Sequence, residues 1–326
     1  KHTTCRRQRQ MCIRDSVSCD GPEETFTITV NPTAQVDDPQ DQIICNGDTT
    51  LVDFTTQNTG GTTTYSWSND NLSIGLADLG VGNILTFVGV NEGASPIIAN
   101  ITVTPTYTED GVSCTGPAEI FTITVNPTGQ VEPLASQVVC NGDLTTVDFS
   151  TENTGGTTTY EWISTVNLGS GLTGTGDISF TAINTTTDLL VSTFTVTPTF
   201  TNGDESCPGP SETFTITVTP TAQVNDLDNI VLCNDADSTE IVFTTDNQNG
   251  TTLYTWTNND TSIGLGSGGT GNIASFNATN ETTEPVTATI TVTPAYDSTL
   301  DCEGPSKTFT ITVNPTGQVE PLASQV

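Results

Sequence analysis

Phe121 to Thr128 reads FTITVNPT; the same run stands at 26–33 and 309–316, with FTITVTPT at 214–221. In an extended chain Phe121, Ile123 and Val125 point to one side while Thr122 and Thr124 point to the other. That two-residue period is the pattern of a half-buried strand, and Phe26, Ile28 and Val30 share it. ITVTPTY alternates in the same way through Ile101, Val103 and Tyr107, as does the stretch carrying Phe194, Val196 and Phe200. The FTITV landmark returns after 95, 93 and 95 residues. Self-similarity at one period sets the domain count more firmly than length does.

Two cysteine series keep the same step. Cys19, Cys114, Cys207 and Cys302 form one; Cys45, Cys140 and Cys233 form the other. Tyr-x-Trp recurs at Tyr65–Trp67, Tyr160–Trp162 and Tyr254–Trp256. These marks divide the chain into a last strand of a truncated repeat (17–34), three full repeats (35–129, 130–222, 223–317) and the start of another (318–326). The closing run FTITVNPTGQVEPLASQV at 309–326 duplicates 121–138, so the sequence reads as a piece of a longer array. Within the first repeat, QIIC (42–45), TLVDFTT (50–56), TTYSWS (63–68) and ILTFVGV (84–90) read as further strands. Asn46-Gly47, Asn58-Thr59-Gly60-Gly61 and Asp110-Gly111 supply the turns. No helical period is present. The expectation is all-β: tandem seven-stranded immunoglobulin-like sandwiches, two antiparallel layers each, with Trp67, Trp162 and Trp256 as core anchors.

The opening KHTTCRRQRQMCIRDS differs in kind. It holds five of the six basic residues, the one His and the one Met. Its run RRQRQMCIRDS resembles a translated sequencing-library adapter, so residues 1–16 are set aside from fold reasoning. From residue 17 onward one base, Lys307, faces 37 acids. A net charge of -32 for the whole chain argues against nucleic acid and anionic lipid as partners. No apolar run reaches the roughly 20 residues that would insert in a membrane.

The seven repeat-locked cysteines include no C-x-x-C pair, and no His accompanies them, so they read as disulfides made in an oxidising compartment. Two connectivities are open. Pairing within a repeat joins Cys45–Cys114, Cys140–Cys207 and Cys233–Cys302. Pairing across a boundary joins Cys19–Cys45, Cys114–Cys140 and Cys207–Cys233. The first is preferred, because a domain that folds unaided gains most from closing its own loop.

Strand-edge CNGD (45–48, 140–143), a central Tyr-x-Trp, ITVTP, and C-x-G-P ahead of FTITVNPT together resemble PKD-like (polycystic kidney disease-like) repeats of large secreted bacterial surface proteins. The third repeat departs from the pattern with CNDAD (233–237) and so loses the Asn-Gly turn. The resemblance implies display outside the cell or on the bacterial surface, adhesion or spacing, and no catalytic residues.

Nucleophilic catalysis needs a base beside the nucleophile, and the repeats contain no His and no Arg. Their acids recur with the repeat or scatter through loops, whereas a catalytic pair is unique. No enzymatic activity is expected and no cofactor is required. Calcium, which takes oxygen ligands, has candidate acids at Asp48, Asp143, Asp235 and Asp237, and oxygen-rich runs at 69–71 and 258–260. The reading is a structural or adhesive stalk whose partners are neighbouring repeats and an extracellular protein or glycan. The alternatives are carbohydrate-binding modules of a secreted enzyme, which would need exposed aromatics in a row, or a calcium-rigidified adhesin.

Overall fold

The computed structural model describes residues 3–4, 22–297 and 300–318. Strand β1 (Thr3–Thr4) pairs with β2 (Thr27–Ile28). Phe26, Ile28 and Val30 are exposed, contrary to their alternating pattern: among the described residues no sheet lies over their apolar side. Most of 1–16, and all of 319–326, lie outside the described residues.

The first repeat carries β3 (Gln42–Cys45), β4 (Thr49–Val52), β5 (Thr62–Asn69), β6 (Leu79–Val81), β7 (Ile84–Val88), β8 (Ile97–Glu109), β9 (Val112–Thr115) and β10 (Glu119–Asn126). One sheet runs β3-β10-β8-β5-β6 with β9 on β8; a second layer is the pair β4–β7. All ladders are antiparallel except β3 beside β10. The second repeat repeats this plan with β11 (Gln137–Cys140), β12 (Leu144–Val147), β13 (Thr157–Ser164), β14 (Thr173–Thr175), β15 (Ile178–Thr181), β16 (Leu190–Asn202), β17 (Glu205–Pro208) and β18 (Glu212–Thr219). The third has β19 (Ile230–Cys233), β20 (Thr251–Asn258), β21 (Gly268–Thr270), β22 (Val286–Asp297), β23 (Cys302–Glu303) and β24 (Lys307–Asn314). Its second layer shrinks to single bridges, Asp237 with Asn277 and Ile241 with Ile273. Asp237 and Ser238 follow the turn there, where the first repeat has the β-branched Thr49 and Thr50 that favour a strand. The fold is therefore tandem immunoglobulin-like β-sandwiches. The first two carry eight strands rather than seven, because the short hairpin strands β6 and β9 were not legible in the pattern.

Each repeat has its own core. In the first, Phe121, Ile123 and Val125 share a core with Ile101, Val103 and Trp67 of their own sheet and with Val52 and Phe54 from the other layer. Full burial of such side chains stabilises by about 1.5–3 kcal/mol each. Of the outward threonines Thr122 stays partly wet while Thr124 is buried, and β-branched hydroxyl side chains tolerate either on a strand.

The chain packs as two compact units: Lys1–Gln130 with Glu152–Thr158 and Thr199–Gly209, and Val131–Thr151 with Thr159–Pro198 and Pro210–Val326. The first unit thus takes in the β16–β17 hairpin of the second repeat.

Candidate functional site: the covalent junction between repeats

Cys45 is bonded to Cys207 within the first unit, and Cys140 to Cys302 within the second, each across 162 residues. Cys114 and Cys233 are free. Both connectivities expected from spacing are thereby corrected. Within a repeat, Cys45 pairs in register with Asn126 at the end of β10, beside the start of β8. Cys114 sits opposite Tyr107, ten residues further along β8. At about 3.3 Å per residue the two cysteines of one repeat lie some 30 Å apart, far beyond disulfide reach. The chain leaves a repeat at the Cys45 end and enters the next at its hairpin end. An exit cysteine therefore meets the following entry cysteine, which sequence order alone conceals.

Three further devices recur at the entry end. An Asn side chain clamps the incoming connector: Asn58 accepts the Gln35 N–H at 2.7 Å and donates to Thr33 C=O at 3.1 Å. Asn153 does the same with Gln130 and Thr128 (2.7 and 3.2 Å), and Asn247 with Gln223 and Thr221 (2.8 and 3.0 Å). The glycine of C-x-G-P lets the connector in. A Cβ on Gly116, Gly209 or Gly304 would overlap the carbonyl of Ala34, Gly129 or Ala222. Finally, an aromatic ring floors the corner. Tyr107 and Tyr296 donate to the carbonyls of Thr59 and Gln248 at 3.0 and 2.9 Å, while Phe200 holds the place in the second repeat. Gly61, Gly156 and Gly250 lie so close to these rings that no side chain fits.

The exit end is built on a buried asparagine. Asn91 donates to the carbonyls of Ser95 and Val125 at 2.9 and 2.7 Å, and its N–H is accepted by Asn46 Oδ1. Asn184 and Asn280 repeat the network with Asn141 and Asn234. Such a satisfied buried network holds the exit loop in one shape. In the first unit Ala94 C=O accepts the Thr154 N–H (2.8 Å), and Asn202 donates to Asn126 Oδ1 (2.9 Å). In the second unit Thr187 C=O accepts the Gln248 N–H (2.8 Å), Asn249 donates to Asp188 (2.7 Å), and the Thr219 hydroxyl donates to the Cys302 sulfur (3.1 Å). Connector residues Pro127, Gly129, Pro220 and Ala222 are buried.

The other residues singled out by sequence fall elsewhere. Trp67, Trp162 and Trp256 are buried, each ring lying over the glycine of the adjoining strand, Gly80, Gly174 or Gly269. They offer no exposed platform for a sugar. Asp48, Asp143 and the pair Asp235 and Asp237 are exposed and sit at the exit turns of the first, second and third repeats. The third repeat keeps its turn after all. Asp235 takes the left-handed conformation (φ 66) where Gly47 and Gly142 stand, and its N–H still reaches Ala278 C=O at 2.8 Å. Among the described residues, the one three-donor cluster of metal-ligating types is Cys45, Asp48 and Glu205, and its sulfur is already in a disulfide.

The oxygen-rich runs are used by the fold itself. Asp70 accepts from the N–H and side chain of Asn100, both at 2.7 Å, which holds its carboxyl below the usual range. Asn71 and Asp260 cap short 3-10 turns, and the bonds from Ser262 lower the Asp260 carboxyl likewise. Lys307 pairs with Asp226 and depresses it.

No protein-family model and no curated protein matches the chain. Solved structures do. Mouse cadherin-23 EC22-24 is 15% identical, with 87% of this chain and 98% of that one covered at a TM-score of 0.37. The three N-terminal domains of the bacteriophage RB49 highly immunogenic outer capsid protein match at 13% identity over 87% and 99%, TM-score 0.37. The Clostridium thermocellum CbhA fibronectin(III)-like modules match at 12% over 57% and 94%, TM-score 0.27.

Proposed function

We propose that this chain is a non-catalytic, load-bearing segment of an extracellular adhesive repeat array, of the PKD-like kind, displayed on a bacterial surface. The recurring junction carries this reading. Its disulfide, asparagine clamp and buried connector serve to hold one repeat on the next, and they create no unique reactive centre. The two disulfide rings overlap over residues 140–207, so the second repeat is stapled at both of its ends. Disulfides of this spread belong in an oxidising compartment. Among the described residues no helix is long and apolar enough to cross a membrane. The buried tryptophans speak against the sugar-binding alternative.

Pulling the chain by its ends tests the mechanical role. With both disulfides intact, the taut path runs to Cys45, from Cys207 back to Cys140, and on from Cys302. About 190 residues are then shielded from load. Reduction should lengthen full extension by about 650 Å. Equal extension before and after reduction would show that the junctions bear no load and would sink the proposal.

A further inference from the structure

The sequence contains Asn-Gly four times, at 46–47, 141–142, 202–203 and 249–250. This dipeptide loses ammonia without an enzyme, because a glycine nitrogen with no Cβ beside it reaches the asparagine side-chain carbonyl carbon. The tertiary structure restrains three of the four. Asn46 Oδ1 accepts the Asn91 N–H and the Gly47 N–H donates to Gly89 C=O, both at 2.8 Å. Asn141 and Gly142 are held in the same way by Asn184 and Ala182, again at 2.8 Å. Asn202 is half-buried and donates to Asn126 Oδ1 at 2.9 Å, while Asn126 returns a bond to the Asn202 carbonyl at 3.4 Å.

Asn249 differs on each count. It is exposed, as is Gly250, and it stands in the left-handed conformation (φ 52) where the first two repeats place Gly60 and Gly155. Among the described residues neither Asn249 Oδ1 nor the Gly250 N–H has a hydrogen-bond partner. The one bond of the side chain runs from Nδ2 to Asp188 Oδ2 at 2.7 Å, next to the bond from the Gln248 N–H to Thr187 C=O at 2.8 Å. The reacting atoms are thus open, and the amide they would consume is one that ties the third repeat to the second.

We propose that Asn249 is a site of spontaneous deamidation, and that its conversion loosens the contact between the second and third repeats. The Gly250 nitrogen attacks Asn249 Cγ. A carbon–nitrogen bond forms as the Cγ–Nδ2 bond breaks, and the Gly250 proton leaves with the amide as ammonia. Water then opens the succinimide ring at either carbonyl, leaving aspartate or isoaspartate at position 249. Nothing is oxidised or reduced, and water is the sole co-reactant. The new carboxylate has no hydrogen to donate and sets a second negative charge against Asp188. Lys307, the one base of the repeats, is already paired with Asp226 and does not offset it. Isoaspartate also adds a carbon to the main chain where Gly250 lies against the Tyr296 ring.

The test incubates the full chain at mildly alkaline pH, folded and in urea, with peptide mapping by mass spectrometry. In the folded chain the acid should appear at Asn249 at least about tenfold faster than at Asn46, Asn141 or Asn202, where hydrogen bonds must open first. In urea all four should react at similar rates. Hydrogen exchange of the Gln248 amide should quicken about tenfold in Asn249→Asp, and in the incubated parent in proportion to conversion. Asn249→Gly, which restores the glycine of the first two repeats, should be inert to incubation and exchange more slowly than Asn249→Asp. Equal rates at the four sites in the folded chain would overturn the choice of site. Gln248 exchange no faster in Asn249→Asp than in Asn249→Gly would overturn the loosening.

Discussion

Replacing Cys45 and Cys207 together by alanine should strip most of the stability from the second repeat. If that repeat unfolds while the first stays folded, the register of Asn126 beside Cys45 keeps the exit end in place. The ring closed by the bond then runs from about residue 127 to Cys207. A loop of about 80 residues contributes roughly 4.5 kcal/mol in the loop-entropy model, and the full 162-residue ring about 5 kcal/mol. The logarithm makes the answer nearly independent of which repeat opens first. For a domain of this size, about 4.5 kcal/mol corresponds to a fall in melting temperature of about 20 °C or more. Scanning calorimetry of the variant against the parent reads it directly, and reducing agent on the parent should reproduce the shift. A change below about 5 °C would refute the reasoning, as would a peptide map of the oxidised parent that joins Cys45 to Cys114.

Two smaller perturbations probe the rest of the design. Gly209→Ala places a methyl group into the backbone carbonyl of Gly129, which no rotamer can relieve, and should destabilise by about 1–3 kcal/mol. Gly266→Ala, in open space, should stay within about 0.5 kcal/mol in the same urea titration, and equal losses would refute the close-approach argument. Stability should also form a plateau in pH. Burial raises the phenols of Tyr65, Tyr160, Tyr254 and Tyr296 above their usual range, so the folded state holds protons that the unfolded state has lost, and stability falls as pH rises past about 10. Asp70, Asp226 and Asp260 are depressed, so their contribution is present above about pH 4 and is lost as pH falls below it. A major loss of urea resistance between pH 6 and 9 would contradict this.

The chain itself determined the class of fold. Phe121, Ile123 and Val125 alternate with threonine, and a strand has only two faces, so the period alone assigns each residue to core or water. The repeat did the same for the tryptophans, since a lone large ring between polar neighbours on a strand has one apolar side to enter. Asn58, Asn153 and Asn247 were visible merely as turn residues in Asn-x-Gly-Gly or its variants. Their recurrence at one position was the available sign that a side chain grips something there, though not what it grips. Cysteine pairing lay beyond the sequence altogether. Spacing is a one-dimensional quantity, whereas Cys45 and Cys114 are separated by the length of a sheet and Cys45 and Cys207 by a single bond. Only the tertiary structure could decide which end of each repeat faces the next, because disulfide reach is a distance through space and is indifferent to the 162 residues in between.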